Sequence, residues 1–219
     1  MHILLNWAEP LRQIADVGGP VVVVLMCVAV LTLAVTLYKI WQFWHAGVGR
    51  HRALSKAVNE WDMGNRPQAH IALGQSTSYL APVIGMALSA APQMLERLQA
   101  DAETRFSKLE RGFRFLDSVA QLAPLLGLFG TVLGMIEAFQ SLQDAGAQVD
   151  PSILAGGIWV ALLTTAVGLV VAIPTALILS WLESRMEAER VIADKAIMTI
   201  LQPVDLPQTA HPEMVAANG

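Results

Sequence analysis

The sequence predicts an all-α membrane protein with three transmembrane helices, the second and third extending into a cytoplasmic helical bundle. Three observations carry that expectation. Of 219 residues, 54% are hydrophobic and only 15% are charged, whereas a soluble domain of this length carries about a quarter charged residues. Three long runs are almost free of charge, and each reaches the length that crosses a hydrocarbon core of about 30 Å. The basic residues fall very unevenly between the segments that join these runs.

Residues 1–19 precede the first run and hold Glu9 and Asp16 against the single basic residue Arg12. With so little positive charge and no small-x-small cleavage pattern after the run, they read as a periplasmic segment ahead of an uncleaved span. Residues 20–44 form the first span, uncharged until Lys39, with Trp41, Phe43 and Trp44 as an interfacial aromatic belt. Cys27, alone in the chain, has no disulfide partner and reads as a packed or lipid-facing thiol.

Residues 45–116 are too polar to insert and read as a cytoplasmic helical loop. From residue 89 the apolar positions Met94, Leu95, Leu98, Ala102, Phe106, Leu109, Phe113 and Leu116 recur every three or four residues. That spacing predicts a helix running unbroken into the second span as far as Pro124. The second span covers 117–142, a short periplasmic loop 143–151, and the third span 152–182. A cytoplasmic helix follows over 183–202, with Met186, Ala193, Ile197 and Ile200 as its apolar face. The Pro-rich, polar tail 203–219 is expected to be disordered.

Orientation follows from charge. The Lys and Arg residues cluster between spans one and two (Lys39 to Arg114) and after span three (Arg185, Arg190, Lys195), and the connection between spans two and three has none. The positive-inside rule then places the amino terminus in the periplasm and the middle loop and carboxyl terminus in the cytoplasm.

A net charge of −4 gives no reason to expect nucleic-acid binding. The chain shows no P-loop, no metal-ligand spacing and no nucleophile elbow, so no enzyme activity, cofactor or metal is expected. The five histidines are scattered through the termini and the middle loop and read as ordinary solvated residues.

Spans two and three carry faces of small residues. Ala120, Pro124, Gly127, Thr131, Gly134 and Ala138 form one, and Gly157, Ala161, Thr165, Gly168 and Ala172 the other. Such faces suit close packing of helix backbones, and threonines within them can bond back to their own helix. The same faces also suit the lining of a pore. Pro124 and Pro174 each remove one helical hydrogen bond and mark expected kinks.

The run LERGFRFLDSVAQLAPLLGLFGTVLGMIEAF (109–139), followed by DPSILAGGIWVALLTTAVGLVVAIP (150–174), resembles the MotA/TolQ/ExbB proton-channel family, and the three-span topology is similar to its ExbB and TolQ branches. The resemblance implies a homo-pentamer in the bacterial inner membrane, with helices two and three surrounding a central pore. It implies an ExbD/TolR-like single-span partner in the pore, which supplies a membrane aspartate. Ion passage driven by the proton motive force would then be relayed to a TonB- or TolA-like protein. Thr131 and Thr165 fall on the family's pore threonines. Thr164, Val160, Ala161, Gly127, Gly134 and Gly168 are expected to share the lining, with Glu137 at the pore mouth. Many members carry GI-x-E-AL at the start of span three, but this chain has Val160 at the acidic position. No carboxylate lies between Asp117 and Glu137 or between Asp150 and Glu183. The expected function is an ExbB-like stator. The alternatives are a TolQ-like subunit of a Tol-Pal-type motor and a non-conducting scaffold for an ExbD/TonB pair. A lone aspartate with threonine hydroxyls suits sodium as well as a proton, and the resemblance favours the proton.

Overall fold

Every regular element in the computed structural model is helical among the residues it describes, 2–144 and 151–203, with side chains described from Gly19 onward except at Ile153. Of the expected outer loop, residues 143, 144 and 151 belong to helices and 145–150 lie outside the described residues; of the expected tail, only Pro203 is described. Helix α1 spans His2–Ala46 and is interrupted at Gly19, whose φ of 67° is outside the helical region. Short helices α2 (Arg52–Asp62), α3 (Arg66–Gly74) and α4 (Ala81–Ala87) follow, then a 3₁₀ turn at Pro92–Met94 and α5 (Leu95–Glu110). Two long helices follow, α6 (Phe113–Asp144) and α7 (Pro151–Leu201). The segments Gly19–Ala46, Phe113–Asp144 and Leu154–Leu201 are each long and apolar enough to cross a membrane.

Two compact units divide the chain. The first comprises the described parts of Met1–Ile40 and Arg111–Ser184. Its three helices meet around Leu25, Val119, Ala123 and Ala172, flanked by Val21, Val28, Leu126, Val167 and Val171. Many other apolar side chains of this unit are turned away from the protein: Leu31, Leu122, Leu125, Phe129, Val170 and Leu177 are all more than half exposed. Water would penalise such a surface, and a hydrocarbon solvent does not. Cys27 also belongs to the exposed surface.

The second unit comprises the described parts of Trp41–Glu110 and Arg185–Gly219. Leu54, Leu80, Ile84, Leu98, Phe106, Met186, Ile197 and Ile200 form its core. The buried Trp61 donates its indole N–H to the carbonyl of Ile200 at 3.1 Å, so both the apolar body and the polar edge of the ring are satisfied.

Two expectations need correction. The helix foreseen from residue 89 into the second span is not continuous. Gly112, at φ 94°, sits in the left-handed region that ends helices, between α5 and α6. Pro124, by contrast, lies inside an uninterrupted α6, as Pro174 does in α7. The aromatic belt is also smaller than expected: Trp41 and Trp44 are exposed, whereas Phe43 is buried.

Candidate functional site

The small faces of α6 and α7 meet each other within one chain. A Cβ added to Gly127 would stand 2.9 Å from the Thr164 carbonyl oxygen, and one on Gly130 would stand 2.7 Å from the Thr164 hydroxyl. At Gly134 it would reach Ala161, at Gly157 it would overlap Ala138, and at Gly168 it would come within 2.6 Å of the Ala123 carbonyl oxygen. Residue numbers rise on α6 as they fall on α7, so the two helices are antiparallel. At Gly127 and Gly168 backbone occupies the space beyond Cα, so only glycine fits, whereas Gly130, Gly134 and Gly157 first meet the short side chains of Thr164, Ala161 and Ala138.

Three threonine hydroxyls lie along this seam and meet different fates. Thr164 is 1% exposed. Its hydroxyl approaches the carbonyls of Ala161 at 2.7 Å and Gly127 at 3.1 Å, and with one proton it can donate to both only as a shared bond. Thr131 is half-buried and donates to the Leu128 carbonyl at 2.6 Å. Thr165 is half-buried as a residue, yet its hydroxyl oxygen is buried with no hydrogen-bond partner among the described residues. An unsatisfied hydroxyl in an apolar setting costs about 1–3 kcal/mol. It is the clearest polar vacancy in the membrane helices.

The eight residues expected along one pore surface are therefore divided. Gly127, Gly134, Gly168, Ala161 and Thr164 are buried by the chain's own atoms, in the layer that holds α6 against α7. Thr131 and Thr165 flank that layer. Each lies four residues after a seam position (Gly127 and Ala161), an advance of about 40° around its helix. Because the helices are antiparallel and face each other, the same sense of advance brings both threonines to one side of the pair. Val160 and Glu137 turn the other way, at about 100° and 60° from Ala161 and Gly134. Glu137 is exposed and Val160 half-buried.

A second polar constellation lies in the other unit and was not foreseen. Glu189 is 1% exposed. One carboxylate oxygen accepts the Gly49 N–H at 2.8 Å and lies 2.8 Å from His51 Nε2. The other accepts the Tyr79 hydroxyl at 2.9 Å. Burial and the adjacent negative charge of Glu189 push the Tyr79 phenol well above its ordinary range, so it remains a donor. His51 is thus mostly buried and tied to a carboxylate, not solvated as expected, whereas His45 and His70 are exposed. The available signal was Glu189 itself, a carboxylate on the apolar stripe of Met186, Ala193 and Ile197. Nearby, Arg190 clamps Glu103 and Glu110 of α5 at 2.8–3.2 Å.

Three charge-poor helices, two joined through facing glycines and threonines, define a multi-pass membrane protein whose polar membrane chemistry rests on hydroxyls. Residues 86–195 match the MotA/TolQ/ExbB proton channel family, and the chain belongs to that family. It is 34% identical over 138 residues to an ExbB homolog, named as a biopolymer transport protein, of Methanothermobacter thermautotrophicus. That match covers 61% of this chain and 48% of the relative, so the chain spans about half that protein's length. An ExbB-like biopolymer transport protein of Synechocystis is 31% identical over 73% of this chain and 79% of its own length. The Tol-Pal system protein TolQ of Haemophilus influenzae is 42% identical over 36% of this chain and 35% of its own.

Proposed function

We propose that the chain is an ExbB-like stator subunit of a bacterial inner membrane, assembling as a homo-pentamer around the membrane helix of an ExbD/TolR-like partner. The carrying observation is the unsatisfied Thr165 hydroxyl on the same side of the α6–α7 pair as Thr131. A 120° step in χ1 carries Oγ1 to another staggered position and turns the hydroxyl out of the seam. There it solvates an ion or a partner carboxylate, as pore hydroxyls do. Gly127, Gly134, Gly168, Ala161 and Thr164 form the layer behind this surface and fix its spacing.

The titratable group within the membrane is supplied by the partner, because no carboxylate occurs in this chain between Asp117 and Glu137 or between Asp150 and Glu183. Proton passage along the Thr131–Thr165 side then energises a TonB-like protein. Charge distribution supports a periplasmic amino terminus, with the second unit in the cytoplasm. Similarity to TolQ favours one second reading, a TolQ-like subunit acting through a TolA-like protein.

Co-reconstitution with the cognate single-span partner tests the conducting role. An imposed proton gradient should drive a flux that vanishes when the partner's membrane aspartate becomes asparagine. A complex with no flux above that of empty liposomes refutes conduction and leaves an assembly scaffold.

A further inference from the structure

A cleft in the second unit is lined by two arginines and by no acidic side chain. Gly49, Arg50, Arg52, Ala53, Gln75 and Thr77 line a cavity of about 380 Å³, within the size range of small-ligand sites. Arg50 and Arg52 are exposed and form no ion pair among the described residues. A third guanidinium adds to theirs. Arg185 packs against Gly49 so closely that it fills the space a Cβ there would take, and it too forms no ion pair among the described residues.

The Glu189 carboxylate, which accepts the Gly49 N–H at 2.8 Å, offsets only one of these three charges. Glu189 is buried, and both its oxygens are engaged by Gly49, His51 and Tyr79. The first turn of α2 has no acidic residue. Three guanidinium groups against one buried carboxylate leave a net positive charge at the cleft, which an anion would offset. Guanidinium groups favour phosphate oxygens, which they bind in pairs.

Chain connectivity sets the address. Arg50 lies four residues beyond Ala46, where the first candidate span ends, so it is within about 14 Å of that point. Trp41 and Trp44 on the same stretch are exposed, as suits residues at headgroup depth.

We propose that this cleft binds a phosphate group, carried by an acidic phospholipid headgroup or by soluble phosphate, through Arg50 and Arg52 with Arg185 alongside. This site is independent of the ion path and of any partner protein.

The test uses the full-length protein in a neutral detergent, with its thermal midpoint followed during titration with phosphatidylglycerol, phosphatidylcholine or inorganic phosphate. Phosphatidylglycerol should raise the midpoint and phosphatidylcholine should not, with a half-effect concentration about thirtyfold higher in R50Q/R52Q. R97Q, which removes an exposed arginine outside the cleft, should respond as wild type does. Inorganic phosphate acting alone through the same two arginines also supports the site and identifies a soluble ligand. No response to either phosphate, or an equal response in R50Q/R52Q, overturns the proposal.

Discussion

At the scale of single residues, three neighbouring threonines show how little a hydroxyl's presence reveals about its role. Thr164 is committed to carbonyls on both helices, Thr131 to its own helix, and Thr165 to nothing in the described chain. Thr165→Val keeps the shape and removes the vacancy. It should leave assembly intact, stabilise the isolated chain slightly, and lower partner-dependent ion flux about tenfold or more, consistent with loss of one solvating group of about 1.5 kcal/mol. Unchanged flux would remove Thr165 from the ion path. Tyr79 offers a pH readout. Its folded pKa is raised above the ordinary value of about 10, so its contribution is fully present below pH 10 and declines above it. Tyr79→Phe should therefore flatten the alkaline side of the melting profile above pH 10 while losing some stability at neutral pH. A variant with the wild-type alkaline slope would show that another group controls it.

At the scale of elements, the α6–α7 seam is held by backbone approach rather than by large side chains. Overfilling such a contact costs about 1–3 kcal/mol, because the helices must separate. Gly168→Ala would push a methyl into the Ala123 carbonyl, and Gly127→Ala into that of Thr164. Both should lower the melting temperature of the detergent-solubilised protein. The methyl of Gly134→Ala meets Ala161 at 3.2 Å and should be milder. Equal melting temperatures for all three variants would contradict this register. Gly112 acts differently. With φ at 94°, it ends the α5 turn, and an alanine there is strained whether or not space exists. Gly112→Ala should destabilise by about 1 kcal/mol, a cost independent of the seam.

At the scale of the whole molecule, what was legible in the sequence depended on whether a feature needs a partner to be recognised. A membrane span is defined by its own apolar length, so the three long segments were readable directly. The break at Gly112 was not, because the apolar spacing continues from Leu109 to Phe113 across it. The face containing Gly127, Gly134, Ala161 and Gly168 was visible, but its occupant was not. Small residues suit a neighbouring helix and a pore equally well, and only packing showed that the chain fills this face itself. Glu189 was missed because its donors are 110 to 140 residues away in the chain. This tie unites the turn after α1, the segment before α4 and the end of α7, so its loss should be felt across the second unit. Glu189→Gln preserves the shape but replaces an acceptor oxygen with a donor, setting it against the Gly49 and His51 side or against Tyr79. Leaving one of these buried groups without its partner costs about 1–3 kcal/mol. Hydrogen exchange should accelerate together in peptides covering residues 47–80 and 185–201 while the α6–α7 seam stays protected. Acceleration confined to the immediate neighbourhood of residue 189 would mean that the three segments hold together without the tie.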